Sequence, residues 1–392
     1  MARFRRPAPS EPARPGPIRA TLRVVQPQPF RVQDGSVRIY RILDVADGID
    51  LVRAEALAAA PKSRFALANP RLAIQIAHPP LRLGLGARDV RIAGVPRRVE
   101  VQASLFDYGV MSVMLDLPIP PGTPLDDLIP LAEALIERPT PELDEVARAT
   151  TAELGRELAA ALVKPHTWDG METYTVFFVR AFDRRVTGAE LVEHAPLARL
   201  LLGETDPVPL SSGERADVLK HRFAYLETDL SVVDWNSAFV HEPSGSSDVP
   251  DLLELATAQL LELRYYDAFL DRELSAIRGE VEAARAPGLF TRRYNRLMRR
   301  TAALLVDMSE MVERVENAVK IVGDFYLARL YQAALRRFRL PAWQDSVLRK
   351  QRMLSEVYRM LSDGADTRRA ELLEITIIAL IAWEIFYAFV RR

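Results

Sequence analysis

Apolar and polar positions alternate along the first third of the chain and recur at helical spacing along the last third. Residues 21–25, 37–42, 72–77 and 99–105 carry β-branched or alternating apolar side chains between Pro and Gly breaks, so they are predicted as strands. A short helix is expected over 50–60. Within 105–117 a glycine separates two apolar runs, which predicts a tight turn or bulge inside a sheet. Helices are expected over 125–136 and 141–163, the second opening on Thr140 with proline at its first helical position. Residues 174–182 read as a buried strand, 190–202 and 211–220 as helices, and 223–240 as strand again. Strands and helices intermingled in this way predict an α+β region over 21–242.

At 243–247 the composition shifts to Pro, Ser and Gly, which reads as a linker, and beyond it the pattern is helical. From Asp248 to about 284 the apolar positions Ala256, Leu260, Leu263, Leu270, Leu274, Ile277 and Val281 are mostly spaced by four and three, a coiled-coil seam. Asp267 falls at the missing seam position between Leu263 and Leu270. It is either a register-setting polar residue with an arginine partner, or a sign that the seam rotates onto Tyr266. A second long helix is expected over 291–340, with Met308, Val312, Val315, Val319, Val322 and Tyr326 as its seam. A third runs from Pro341 to about 362, where Asp363-Gly364 is read as a break. Long antiparallel helices over 248–364 make a stalk.

The final segment, 365–392, contains the run LLEITIIALIAWEIFYAFV at 372–390. Its nineteen residues would make roughly 28 Å of helix, close to the thickness of bilayer hydrocarbon. Eleven are Leu, Ile, Phe or Val, together worth very roughly −3 to −7 kcal/mol towards insertion. Glu374 near the entry and Glu384 deeper in oppose this, the latter by about 2.5–3.5 kcal/mol. Two readings follow: a single-pass membrane anchor that oligomerises around Glu384, or a buried C-terminal helix. Arg352, Arg359, Arg368 and Arg369 precede the run and Arg391 and Arg392 follow it, which would leave the bulk of the chain on the cytoplasmic side.

Composition narrows the function classes. The 392 residues carry a net charge of −1, against the basic excess of a dedicated nucleic-acid binder. There is no cysteine, and the five histidines are scattered, which removes disulfides, thiolate zinc sites and cysteine nucleophiles. Residues 1–20 hold five arginines and five prolines and read as a disordered basic tail. No phosphate-binding loop, dinucleotide fingerprint, nucleophile elbow or kinase signature is present, so no cofactor and no enzymatic activity are expected. Glu262, Asp267, Asp271 and Glu273 crowd one helix with Arg264 and Arg272. They read first as a salt-bridged surface and second as a carboxylate metal site.

Three segments resemble the "required for meiotic nuclear division" family, a sporulation-related group. They are FDYGVMSVML with Tyr108 and Gly109, LLELRYYDAFLDREL with Glu262 and Arg264, and RRAELLEITIIALIAWEI with Arg369, Glu374 and Glu384; Trp383 and Arg368 belong with these glutamates to the expected membrane or oligomer helix. The resemblance, that of a divergent bacterial relative, implies an α/β domain, a helical stalk, one C-terminal membrane helix and no catalytic residues. The order of soluble domain, long helices and membrane helix also resembles the plan of CorA-type magnesium channels. The leading expectation is a non-enzymatic, membrane-tethered homo-oligomeric scaffold. The alternatives are an ion-conducting or ion-regulated membrane protein using Glu374 and Glu384, and a soluble enzyme with a buried C-terminal helix.

Overall fold

Residues 31–44 alternate so that successive side chains face two different apolar layers, and the fold is built around them. In the computed structural model, which describes residues 29–67, 74–283, 296–306, 308, 319–321 and 325–390, this segment is the long strand β1 (Arg31–Asp44). The chain continues through β2 (Ala46–Ile49), α1 (Leu51–Leu57), β3 (Lys62–Arg64), β4 (Ile74–Ile76), β5 (Leu81–Ile92), β6 (Val95–Leu105), β7 (Val110–Pro118) and β8 (Thr123–Pro124). Then come α2 (Ile129–Ile136), α3 (Pro141–Glu157), β9 (Leu162–Pro165), β10 (Met171–Phe182), α4 (Gly188–His194), α5 (Leu197–Leu202) and α6 (Ser212–Val218). After β11 (Arg222–Phe223), β12 (Leu230–Val233) and β13 (Ser237–His241) the chain enters α7 (Asp248–Ala283). Helical residues 296–306 (α8), β14 (Val319–Ile321), α9 (Tyr326–Arg337) and α10 (Leu340–Val390) complete it. This is an α+β protein.

Among the described residues ten strands form one sheet, ordered β11-β12-β13-β10-β1-β7-β6-β5-β3, with β8 beside the end of β1. Neighbours pair antiparallel except β10 and β13, which are parallel. On one face Tyr40, Ile42, Tyr174, Val176, Phe178, Ala238 and Val240 meet α7, α9 and α10 in a continuous core. On the other, Val37, Ile39, Leu43, Val113, Leu115, Phe177, Val179 and Phe239 meet α2, α3, α4 and α5. The alternation in β1 and β10 is the strand period of two, which sends neighbouring residues into opposite layers.

Helix α7 crosses the sheet as the main element of its layer. Leu252, Leu253, Ala256, Leu261 and Leu270 are fully buried, and each buried leucine contributes about 1.5–3 kcal/mol. The core therefore runs unbroken across 243–247, which forms a turn with Gly245 at φ +77°. Leu263 is buried with Leu270, and Leu260 and Leu274 are half-buried against the same core. The expected seam thus packs on a sheet as well as on helices. Tyr266 is buried and Asp267 pairs with Lys350 at 2.8 Å, so the seam rotates onto the tyrosine while the aspartate finds a lysine rather than an arginine.

Several expectations for the C-terminal third are corrected. Val319 does not lie on a helix seam: β14 pairs antiparallel with β4, Val319 opposite Ile76 and Ile321 opposite Ile74. A short β-branched run suits a strand as well as a helix. Val312, Val315 and Val322 lie outside the described residues, as does the tail 1–20. Helices α7 and α10 pack side by side. Arg264 lies over Trp343, Asp267 meets Ser346 and Lys350, and Asp271 meets Lys350, so the contacts advance together and α7 and α10 run parallel.

Asp363-Gly364 is not a break either. Helix α10 continues through it to Val390, since one interior glycine costs only about 1 kcal/mol. No helix among the described residues is long and apolar enough to cross a membrane, so the single-pass anchor and the membrane location drawn from it are not supported. The apolar run carries Glu374 and Glu384, which oppose insertion into hydrocarbon.

Candidate functional site

The turn at Phe106–Gly109 joins β6 to β7 and sets the end of the sheet. Its ends are tied by Phe106 N–H donating to Val110 O (2.9 Å) and Gly109 N–H to Phe106 O (3.2 Å). Gly109 has φ +98°, and a Cβ there would stand 1.8 Å from Ala46 O, so no other residue fits without moving β2. That strand is held to the turn by Val45 N–H on Gly109 O and Ile49 N–H on Asp107 O. Tyr108 points inward, stacked on Phe106 at 5.4 Å and buried beneath α7. Burial pushes its phenol well above the usual range, so it stays protonated.

Beside this turn, the face of α7 towards the sheet carries Asp251, Glu254, Gln259 and Glu262, all buried. Arg82 of β5 reaches Asp251 at 2.7 Å and Glu254 at 3.7 Å. Arg38 of β1 lies over the Phe178 ring at 4.3 Å and donates to Ser247 Oγ at 3.0 Å. Burial raises the pKa of both carboxyls, and the charge of Arg82 opposes it. Ser112 and Ser104 also face Glu254. Gln259 accepts from the Tyr331 hydroxyl of α9 at 2.5 Å. Arg264 pairs with Glu172 of β10.

At the end of β1 lies a second polar group. His166, just past β9, faces Asp44 through Nε2 at 3.2 Å and Asp47 through Nδ1 at 3.5 Å. Tyr265 of α7 stacks flat on the imidazole at 4.6 Å, and Trp168 meets Tyr265 edge-on. Burial disfavours the imidazolium, but hydrogen bonds and charge attraction from Asp44 and Asp47 outweigh it and lift the pKa to about 9. With a carboxylate facing each ring nitrogen, His166 is a fixed cation that ties β1, β2 and β9 together, rather than a base open to a substrate.

Across the sheet from both groups, a cleft of about 440 Å³ is lined by Phe30, Asp126, His194, Pro196, Arg199 and Arg215 among others. Its arginines are engaged with backbone carbonyls: Arg199 donates to Glu204 and Asp206, and Arg215 to Val192 and Glu193. The acidic residues of α7 are mostly salt-bridged, the first of the two readings, although their partners lie on other helices. Glu262 is in the core, Asp267 and Asp271 hold Lys350, and Glu273 holds Arg300. Among the described residues no three acidic or histidine side chains come together in a way that could hold a metal ion.

The largest anomaly is the end of α10. Leu373, Ile375, Ile377, Ile378, Leu380, Ile381, Trp383, Ile385, Phe386 and Tyr387 are all more than half exposed, and Trp383 leans on Phe386 at 6.3 Å. Glu374 and Glu384 are exposed on the same segment. The side chains of Arg368 and Arg369 lie outside the described residues. Sequence reasoning singled out this segment but missed Asp44, Asp47, His166, Arg82, Asp251 and Glu254. Asp251 and Glu254, three apart in an apolar helix start, were a readable signal. The His166 group joins residues more than a hundred positions apart and left none.

A sequence profile of the family described as "Uncharacterized protein MJ0711, N-terminal domain" matches residues 34–248, more than half of the chain, from β1 to the first residue of α7. Uncharacterized protein MJ0711 of Methanocaldococcus jannaschii is 27% identical over 197 residues, 50% of this chain and 59% of that protein. No solved structure matches. These findings overturn the resemblance to the meiotic nuclear division family and its bacterial assignment: the matched stretch, which includes Tyr108 and Gly109, falls in a different family, and the relative is archaeal. The chain belongs to the MJ0711 N-terminal-domain family.

Proposed function

We propose that this member of the MJ0711 N-terminal-domain family is a non-enzymatic assembly scaffold. The sheet and its two helical layers form a rigid base, and α10 carries an assembly surface beyond them. The observation that carries this reading is the run of ten large apolar side chains left exposed over 373–387. At about 100 Å² each they present on the order of 1,000 Å² of apolar surface, whereas a monomer rarely exposes a patch beyond a few hundred Å². The His166 cation between two carboxylates and the carbonyl-bound arginines of the cleft support the same reading, since these groups are engaged in holding the fold.

The test is light scattering after size exclusion, on the full chain and on a chain ending at Gly364. The expected result is a defined oligomer for the full chain and a folded monomer for the shorter one. A full chain that is monomeric at every concentration tested refutes the reading.

A further inference from the structure

We infer that the partner of the exposed segment is a second copy of this chain, and that the two copies meet along the stripe Ile375, Ala379, Ala382 and Phe386. This rests on the scaffold reading and specifies its contact.

The segment is apolar around most of its circumference, so exposure alone does not choose a face. Charge and side-chain size do. At 3.6 residues per turn, Ile375, Ala379, Ala382 and Phe386 fall within about 60° of one another, spaced four, three and four, the spacing of a helix-pairing seam. Glu384 lies about 170° round the helix from the midline of this stripe, and Glu374 about 110°. Both carboxylates are exposed and can remain in water only if this stripe, rather than theirs, is covered. A carboxylate placed in an apolar contact would lose its hydration without a partner.

The stripe also suits an identical copy. Its order is large, small, small, large, which reads alike from either end, so it is complementary to itself about a two-fold axis. The two alanines let the helix axes approach closely at the centre, while Ile375 (63% exposed) and Phe386 (61%) cover the flanks of the contact. Ile378 and Trp383 border the stripe on its two sides, both more than half exposed. Together with the alanines these side chains supply about 600 Å² per copy, the lower end of what a stable pair of proteins buries.

The chain has no cysteine, so single-cysteine variants report contacts without background. Ala379→Cys, Ala382→Cys, Ile377→Cys and Ile381→Cys would each be made in the full chain, oxidised with a mild catalyst, and followed by non-reducing gel, with sedimentation of the reduced proteins in parallel. All four positions are exposed, so the variants keep the fold. The inference expects Ala379→Cys and Ala382→Cys to cross-link at least tenfold faster than Ile377→Cys and Ile381→Cys. Equal rates, or faster cross-linking on the glutamate side, with the protein still dimeric or larger, overturn the stripe and leave the scaffold reading in place. Monomers that do not cross-link at any position overturn both. Monomers that instead bind phosphatidylcholine vesicles overturn the second copy as the occupant.

Discussion

Replacing Gly109 with alanine tests how the turn under α7 is built. The residue sits at φ +98°, where an L side chain costs about 1–2 kcal/mol. The new Cβ would also lie 1.8 Å from Ala46 O, where real Cβ atoms keep at least 3.0 Å, so β2 must retreat by about 1.2 Å. That retreat stretches the bonds from Val45 N–H to Gly109 O and from Ile49 N–H to Asp107 O, each worth about 1 kcal/mol. With the displaced packing the total is about 4–6 kcal/mol, a large part of the 5–15 kcal/mol by which a domain is stable. Gly86 is the internal control. Its φ is +76°, yet nothing lies within 4 Å of its Cβ position, so Gly86→Ala should cost only the backbone part, about 1–2 kcal/mol. Urea denaturation followed by circular dichroism reads both. Equal midpoints for the two variants would show that close approach to Ala46 is not what requires glycine at 109.

The pKa of His166 is raised in the folded protein from 6.5 to about 9, so its contribution to stability is full below pH 6.5, declines as pH rises, and is gone above about 9. The shift alone corresponds to about 3 kcal/mol, reduced to roughly 1–2 kcal/mol by partial solvent exposure; a denaturation midpoint that stays flat from pH 6.5 to 9.5 would contradict it. Arg82→Met leaves Asp251 and Glu254 buried without their nearest cation and should cost about 3–5 kcal/mol. Adding Asp251→Asn and Glu254→Gln should recover part of that loss, and a triple variant no more stable than the single one argues against the ion group. Asp50 caps α1 by accepting from Val52 and Arg53 N–H, so Asp50→Ala should lower stability by about 1 kcal/mol in the same assay. A neutral result would mean that α1 is held by packing alone.

Local patterns reached the elements but not their partners. The apolar run at 174–182 is a strand, now β10 over Met171–Phe182, and proline at the first turn does open α3 at Pro141. Thr140 makes no capping bond, however; its hydroxyl accepts instead from buried Arg41, whose reach across the sheet no local rule reveals. The four-and-three spacing on α7 correctly identified Leu263 and Leu270 as buried. It could not separate a helix packed on a helix from one packed on a sheet, because both bury one stripe. Val319 shows the matching failure for short segments: three β-branched or long residues fit either period, and pairing with Ile74–Ile76 decided it. At the C-terminus the hydropathy of 373–387 was plain in the sequence, while its exposure on the folded chain depends on where α10 leaves α7.

The most direct test of the assembly account is hydrogen–deuterium exchange of the full chain at two protein concentrations a hundredfold apart. The account expects the amides of 373–387 to exchange slowly at the higher concentration and at least tenfold faster at the lower, while those of β1 and β10 stay unchanged. Exchange over 373–387 that is fast and identical at both concentrations would contradict it.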